Sequence, residues 1–282
     1  MTVLSPNDHD FFKHNGYVVV KDTVPQKNLS AMVDAIFWFL EMDPSNPNDW
    51  YRPPHRTGGM VEISQHQSIW DNRQAPRIHG AFAEILGNHK LWVSMDRACF
   101  KPPRHPNHPD YDFKGFIHWD ANTSNLALGE WGVQGVLALT DTATDQGGFQ
   151  CVPELYRNLE KWIETQPPDR NPEVPDLTGF TVTSVPVQAG DLIIWHKYLP
   201  HGSGHNISDM PRFAQYITMS PPAEETDVEK YQERIRMWQN RLRFPDDQRK
   251  SADTRRFEER FGVTAKLTPL GRKLLGLDHW ND

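Results

Sequence analysis

The stretch AGDLIIWHKYLPHGSGHN, residues 189–206, decides the fold. It reads as a turn at Gly190-Asp191, a buried strand over 192–195, and a loop carrying His201 beside Gly202 and Gly204, where absent side chains let other groups approach the histidine. Arg212 follows eleven residues after His201 and opens the strand-like run RFAQYI, 212–217. If the two strands are neighbours in a barrel, Arg212 returns to the depth of His201. Working outward, further β-like runs occupy 91–101, 114–119, 132–140, 148–152 and 180–187, with turn residues between them. Many short strands without intervening helices indicate an all-β barrel or sandwich.

Helical signals flank this core. Ser5-Pro6 is an N-cap with proline at the first helical position, and Gly16 ends that helix before a strand at 17–20. After Pro25, Leu29, Met32, Val33, Ile36, Phe37 and Leu40 recur at helical spacing, a stripe that packs on a core. The segment DPSNPNDWYRPPHRTGGM, 43–60, is a long loop of the kind that serves as a lid or binding segment, with Arg52, His55 and Arg56 in it. A helix is expected around 75–86. Beyond 223 the pattern is helical again: Tyr231, Ile235, Trp238 and Leu242 share a face, and Thr268-Pro269 opens a last short helix. One domain over 1–282 follows, with N-terminal helical support and the lid loop at 1–90, a β core at 91–222 and a C-terminal helical extension at 223–282.

A net charge of -7 argues against general nucleic-acid binding, which needs a concentrated basic face. The longest apolar run, 33–40, is interrupted by Asp34 and too short to span a bilayer. Cys99 and Cys151 lie in apolar strand-like runs as free buried thiols, which fits a reducing cytoplasm. The expectation is a cytoplasmic protein without membrane or nucleic-acid partners.

Chemistry is carried by an H-x-D pair, which projects an imidazole and a carboxylate from one face of a strand because alternate side chains point the same way. The sequence holds two, His108/Asp110 and His118/Asp120. The first lies in KPPRHPNHPD, where prolines forbid a central strand. The second ends the apolar run 115–117, where a strand reaches a barrel mouth. With His201 it makes two histidines and a carboxylate, a facial set that leaves positions open for ligands and suits non-haem iron(II). An arginine fork at Arg212 can hold a carboxylate in paired hydrogen bonds, as a metal-chelating 2-oxo acid requires. A zinc hydrolase would account for the three ligands but not for the arginine.

In order and spacing, DFFKHNGYVVV (10–20), the strand before KPP, HWD (118–120), GGFQCVPELYR (147–157), AGDLIIWH and HGSG with Arg212 resemble the phytanoyl-CoA dioxygenase family of iron(II)/2-oxoglutarate-dependent oxygenases. The resemblance covers roughly residues 8 to 220. It implies a double-stranded β-helix, or jelly roll, in a mainly β chain with flanking helices. It implies metal ligands at His118, Asp120 and His201, a 2-oxoglutarate salt bridge to Arg212, and a hydrogen bond from Ser203 to the same carboxylate. Gln134 and Val136 face the interior in this reading, with Gln134 within reach of the cofactor. Arg97 turns inward near cofactor or substrate, although strand alternation alone leaves Asp96 or Arg97 as the inward residue.

The implied reaction oxidises an unactivated C–H bond of a small-molecule substrate with O₂, releasing succinate and CO₂, in a monomer or homodimer; ascorbate supports such activity. Related halogenases leave the carboxylate position to chloride, so Asp120 favours hydroxylation. The alternative is a catalytically silent jelly roll that binds a metal or ligand. One departure is Val152-Pro153-Glu154-Leu155-Tyr156, where the family commonly has VPGSH, a change expected at the rim. His66 and Trp131 are candidate pocket residues on position alone, and Arg52, Arg56, Arg73, Arg77 and Arg104 are candidates for an anion-attracting mouth.

Overall fold

The computed structural model describes residues 2–124, 126, 132–245 and 253–281. The chain opens with α1 (Pro6–Asn15), β1 (Tyr17–Val20) and α2 (Gln26–Leu40). Ser5 and Asp8 cap α1 reciprocally, and Gly16 ends it at φ 76°, a left-handed conformation that disfavours residues with a Cβ. In α2, Leu29, Met32, Ile36, Phe37 and Leu40 are buried as the periodicity predicts. The loop that follows contains His55, which is buried between the main-chain carbonyls of Trp50 and Phe100. It ends in β2 (Met60–Val61), and α3 (Gln67–Arg73) and α4 (Pro76–Leu86) complete the N-terminal support.

The β region runs through β3 (Trp92–Val93), β4 (Ala98–Lys101), β5 (Phe116–His118), β6 (Val133–Ala138) and β7 (Phe149–Cys151). Two short helices, α5 (Pro153–Arg157) and α6 (Leu159–Glu164), interrupt it before β8 (Thr183–Ser184), β9 (Leu192–His196), β10 (His201–Ser203), β11 (Arg212–Tyr216) and β12 (Met219–Ser220). The C-terminal part adds α7 (Val228–Asn240), α8 (Phe257–Phe261) and α9 (Pro269–Leu275). One antiparallel sheet has the order β1-β9-β6-β11-β4-β2, and a second has β5-β10-β7-β8. These are the two sheets of a jelly roll. The run at 91–101 is two strands rather than one, and β3 pairs outside both sheets with β12.

Both faces of the larger sheet are covered, so its strands alternate between two apolar environments instead of between core and water. Ala98, Phe100, Val133, Leu137, Ile194 and Phe213 pack against the helices, joining Trp70, Phe82 and the α2 stripe. Each such large side chain, once buried, stabilises the fold by about 1.5–3 kcal/mol. Cys99, Val136, Ile193, Trp195 and Ala214 point the other way and meet Phe149 and Cys151 of the smaller sheet. The intersheet face is where the side chains of Lys101, Gln134, Arg212 and Tyr216 also fall by strand alternation. In α7, Tyr231 and Met237 are the buried residues; Ile235 is only partly buried, because the inward stripe passes through Met237 instead. No helix among the described residues is long and apolar enough to cross a membrane.

The end of β9 carries a buried titratable group. His196 is 7% exposed, and its Nδ1 accepts the main-chain N–H of Tyr198 at 3.1 Å, a bond that only an unprotonated Nδ1 can make. Burial, with a smaller push from Lys197, lowers its pKa to about 4. A depressed histidine stabilises the fold above its unfolded pKa near 6.5, and that contribution is lost as pH falls through the folded value. Over that window wild type is expected to lose roughly 3 kcal/mol relative to His196→Asn, whose amide oxygen can take the same N–H. Parallel urea-unfolding stabilities of the two proteins from pH 6.5 to 4 would contradict this.

Candidate active site

The smaller sheet builds the triad. In β5, His118 faces the intersheet space, so Trp119, next along the chain, points to the opposite side, where it is 1% exposed among Val152, Leu155, Leu159 and Trp162 and donates Nε1–H to the carbonyl of Tyr198 at 2.9 Å. The middle residue of H-x-D is thus the anchor that aims the two flanking ones. The segment read as a loop around His201 is the strand β10, central in its sheet, with His201 directly opposite both His118 and Cys151. Two glycines in a short segment hid that strand from sequence patterning. Gly202 is there because a Cβ would lie 1.9 Å from the carbonyl oxygen of Phe116.

Ligand-type atoms of His118, Asp120 and His201 all lie within 4.8 Å of one another, the one such cluster among the described residues. His118 Nε2 is 3.2 Å from Asp120 Oδ1, and His201 Nε2 is 3.6 Å from Asp120 Oδ2. The imidazoles of His118 and then His201 hold the Asp120 carboxyl well below the usual carboxylate range. His201 Nδ1 lies 2.9 Å from the carbonyl of Leu199; a carbonyl only accepts, so Nδ1 carries the proton and the lone pair of a neutral ring sits on Nε2, toward Asp120. A proton on Nδ1 leaves Nε2 able to ligate on the Asp120 side, and an N₂O donor set suits a first-row divalent metal. These residues fit such an ion. The rival pair is not assembled: His108 stacks on Tyr51, and Asp110 follows it in a proline-led turn.

A cavity of about 340 Å³ between the sheets joins this triad to Arg212 and Ser203. Arg212 is 4% exposed, with Nη1 3.4 Å from Cys99 Sγ. Opposite it in the β4–β11 register stands Lys101, which sequence reasoning missed. Lys101 Nζ donates to Ser203 Oγ at 2.7 Å and to the carbonyl of Gly204 at 3.0 Å; burial pushes its pKa down to about 7. Ser203 is therefore already engaged, as the acceptor of a buried cation. The missed signal was alternation, since residues 99 and 101 share one face of the strand.

Other residues settle as follows. Arg97 lines the cavity, with its Nη1 on Glu62 Oε1 at 2.7 Å; Asp96 lines it as well, because β4 begins only at Ala98 and strict alternation does not reach 96 and 97. Arg243 bonds the other Glu62 oxygen. Gln134 and Val136 line the interior, and Gln134 Nε2 donates to Asp120 Oδ2 at 2.8 Å. None of the arginines expected at the mouth lines this cavity. Arg73 is fully buried and donates to the carbonyls of Ser64 and Asp96, Arg77 donates to Lys21, and Arg52 pairs with Asp49. Arg56 and Arg104 line a neighbouring crevice. His66 caps α3 instead of lining the cavity, and Trp131 lies outside the described residues. The departing segment after Val152 is the helix α5, whose Leu155 packs behind Trp119; it forms no part of the cavity wall.

The model of the phytanoyl-CoA dioxygenase family matches residues 12–214, more than half of the chain. The chain belongs to that family. Phytanoyl-CoA dioxygenase relatives are oxidoreductases, and so is this one. A Dictyostelium discoideum protein bearing the phytanoyl-CoA dioxygenase name is 24% identical over 277 residues, covering 81% of this chain and 78% of that one. Among solved structures, the epimerase SnoN in complex with Fe³⁺, alpha ketoglutarate and nogalamycin RO aligns with a TM-score of 0.55 and 17% identity, over 76% of this chain and 82% of its own. A Salmonella typhimurium protein described as an oxidoreductase aligns with a TM-score of 0.68 and 17% identity, over 97% of this chain and 83% of its own. At these identities the structures establish a shared fold.

Proposed function

We propose that the protein is an iron(II)- and 2-oxoglutarate-dependent dioxygenase that hydroxylates, or otherwise oxidises at an unactivated C–H bond, a small-molecule substrate. The observation that carries this reading is a single cavity with a His-Asp-His cluster on one wall and the buried guanidinium of Arg212 on another. Arg212 has no Asp or Glu partner among the described residues, and burying unneutralised charge is costly unless an anion completes the site. A dicarboxylate that chelates at one end and is anchored at the other meets both demands. SnoN, with its bound iron and alpha ketoglutarate on the same fold, supports the assignment by likeness.

In this reading His118, Asp120 and His201 hold iron, which when bound supplies O₂ activation coupled to decarboxylation of the 2-oxo acid. Arg212 is the fork for the distal carboxylate, and Lys101 and Ser203 complete its neighbourhood. Arg97 faces the substrate side of the cavity, fixed in place by Glu62. Met60, Phe113, Phe116 and Phe149 give the remaining wall an apolar surface that limits water at the reacting centre.

The test is to incubate protein, iron(II), ascorbate and 2-oxoglutarate with a metabolite extract, following succinate and products heavier by one oxygen. Anaerobically, iron and 2-oxoglutarate together should give the weak visible band of the chelate. A colourless mixture and no succinate above the protein-free control would replace this reading with a silent binding protein.

A further inference from the structure

The carboxylate of Asp120 stands at the exposed side of the triad, its side chain 47% accessible, against 5% for His201. A short carboxylate so placed has open rotamers, and the sharp arrangement of the triad needs something to hold it. Two residues outside the triad do so. Gln134 of β6 and Trp195 of β9 are directly opposed in register, and Trp195 Nε1 lies 3.1 Å from Gln134 Oε1, while Gln134 Nε2 lies 2.8 Å from Asp120 Oδ2. The indole N–H can only donate, so it requires the amide oxygen on its side. That requirement removes the usual ambiguity of a glutamine amide and turns the NH₂ toward Asp120.

We propose that Trp195 and Gln134 form a positioning relay, Trp195 N–H to Gln134 and Gln134 N–H to Asp120, that fixes the plane of the carboxylate as a metal ligand. This rests on the metal reading given above and deepens it. It reassigns Gln134, expected to reach the cofactor, to the ligand instead. It also gives Trp195 a role beyond packing: its ring fills space among Phe149 and His201, but its N–H is the part that sets the amide. Fixing a first-sphere carboxylate through an outer hydrogen bond is worth about 10–100-fold in metal affinity.

Manganese(II) titration of the metal-free protein, read by the electron paramagnetic resonance of free manganese, tests the relay in wild type, Trp195→Phe, Gln134→Leu and the double variant. Each single variant should bind manganese at least about 10-fold more weakly, with the thermal midpoint of the metal-free protein recorded alongside to separate packing loss. Because Trp195 acts only through Gln134, the double variant should bind no more weakly than Gln134→Leu. Single variants with wild-type affinity, or losses that multiply in the double variant, would overturn the relay. If wild type itself takes up no manganese, the failure belongs to the ligand assignment and not to the relay.

Discussion

His118→Ala is expected to bring iron-dependent succinate formation down to the protein-free background, a loss well beyond ~100-fold, since disturbing only the outer hydrogen bonds of a metal ligand already costs 10–100-fold. The imidazole contributes little to the core: it is 25% accessible and sits at the end of β5, and its Nδ1 has no hydrogen-bond partner. Its Nε2 does face Asp120 at 3.2 Å, so the metal-free variant should lose about 1 kcal/mol in urea and remain folded. The two measurements together separate a ligand from a scaffold residue. A variant that keeps a tenth or more of wild-type turnover with iron would remove His118 from the metal centre.

Gly202→Ala is expected to be severely destabilising. The new Cβ would meet the Phe116 carbonyl oxygen at 1.9 Å, and the neighbour is backbone in a paired strand, so it cannot swing aside. Relief requires β5 and β10 to part, at a cost on the order of 3 kcal/mol or more. The same separation moves His118 away from His201, so metal uptake should fall together with the unfolding free energy measured in urea. A variant with wild-type stability and wild-type manganese affinity would mean that the strands are not packed this closely.

Much of the site was legible because strand alternation is a strict rule. His118 and Asp120 had to share a face once 115–117 was a strand; Arg212 lines the same cavity as His201, but not through neighbouring strands as expected, since β11 is in the larger sheet, apart from β9, and β10 is in the smaller. Lys101 obeys the same rule, yet the prolines after it drew attention to the end of the strand instead of to its inward face. The mouth arginines failed for a different reason: charge in a sequence has no direction. Arg73 looks like surface chemistry in the chain but is swallowed whole, its two Nη groups donating to main-chain carbonyls from two segments. Asp96 and Arg97 could not be told apart because both lie before β4 takes up its alternation. The strand β10 escaped because His-Gly-Ser has no apolar pattern to read; its register with β5 and β7 is set by neighbours far away in sequence.

The ion pairs at Glu62 bear on where this chain can be cut. The family model's match ends at residue 214, but the wall that presents Arg97 to the cavity is braced from beyond it by Arg243 on Glu62, while Glu258 receives the main-chain N–H groups of Ser64 and Gln65 at 2.7 and 2.9 Å. A fragment ending after β12 would carry every residue of the triad and still expose two orphaned amides and leave Glu62, the partner of Arg97, without Arg243. The shortest recombinant form worth expressing for chemistry is thus set by the tail's grip on the segment around residue 62, and not by the end of the family model's match.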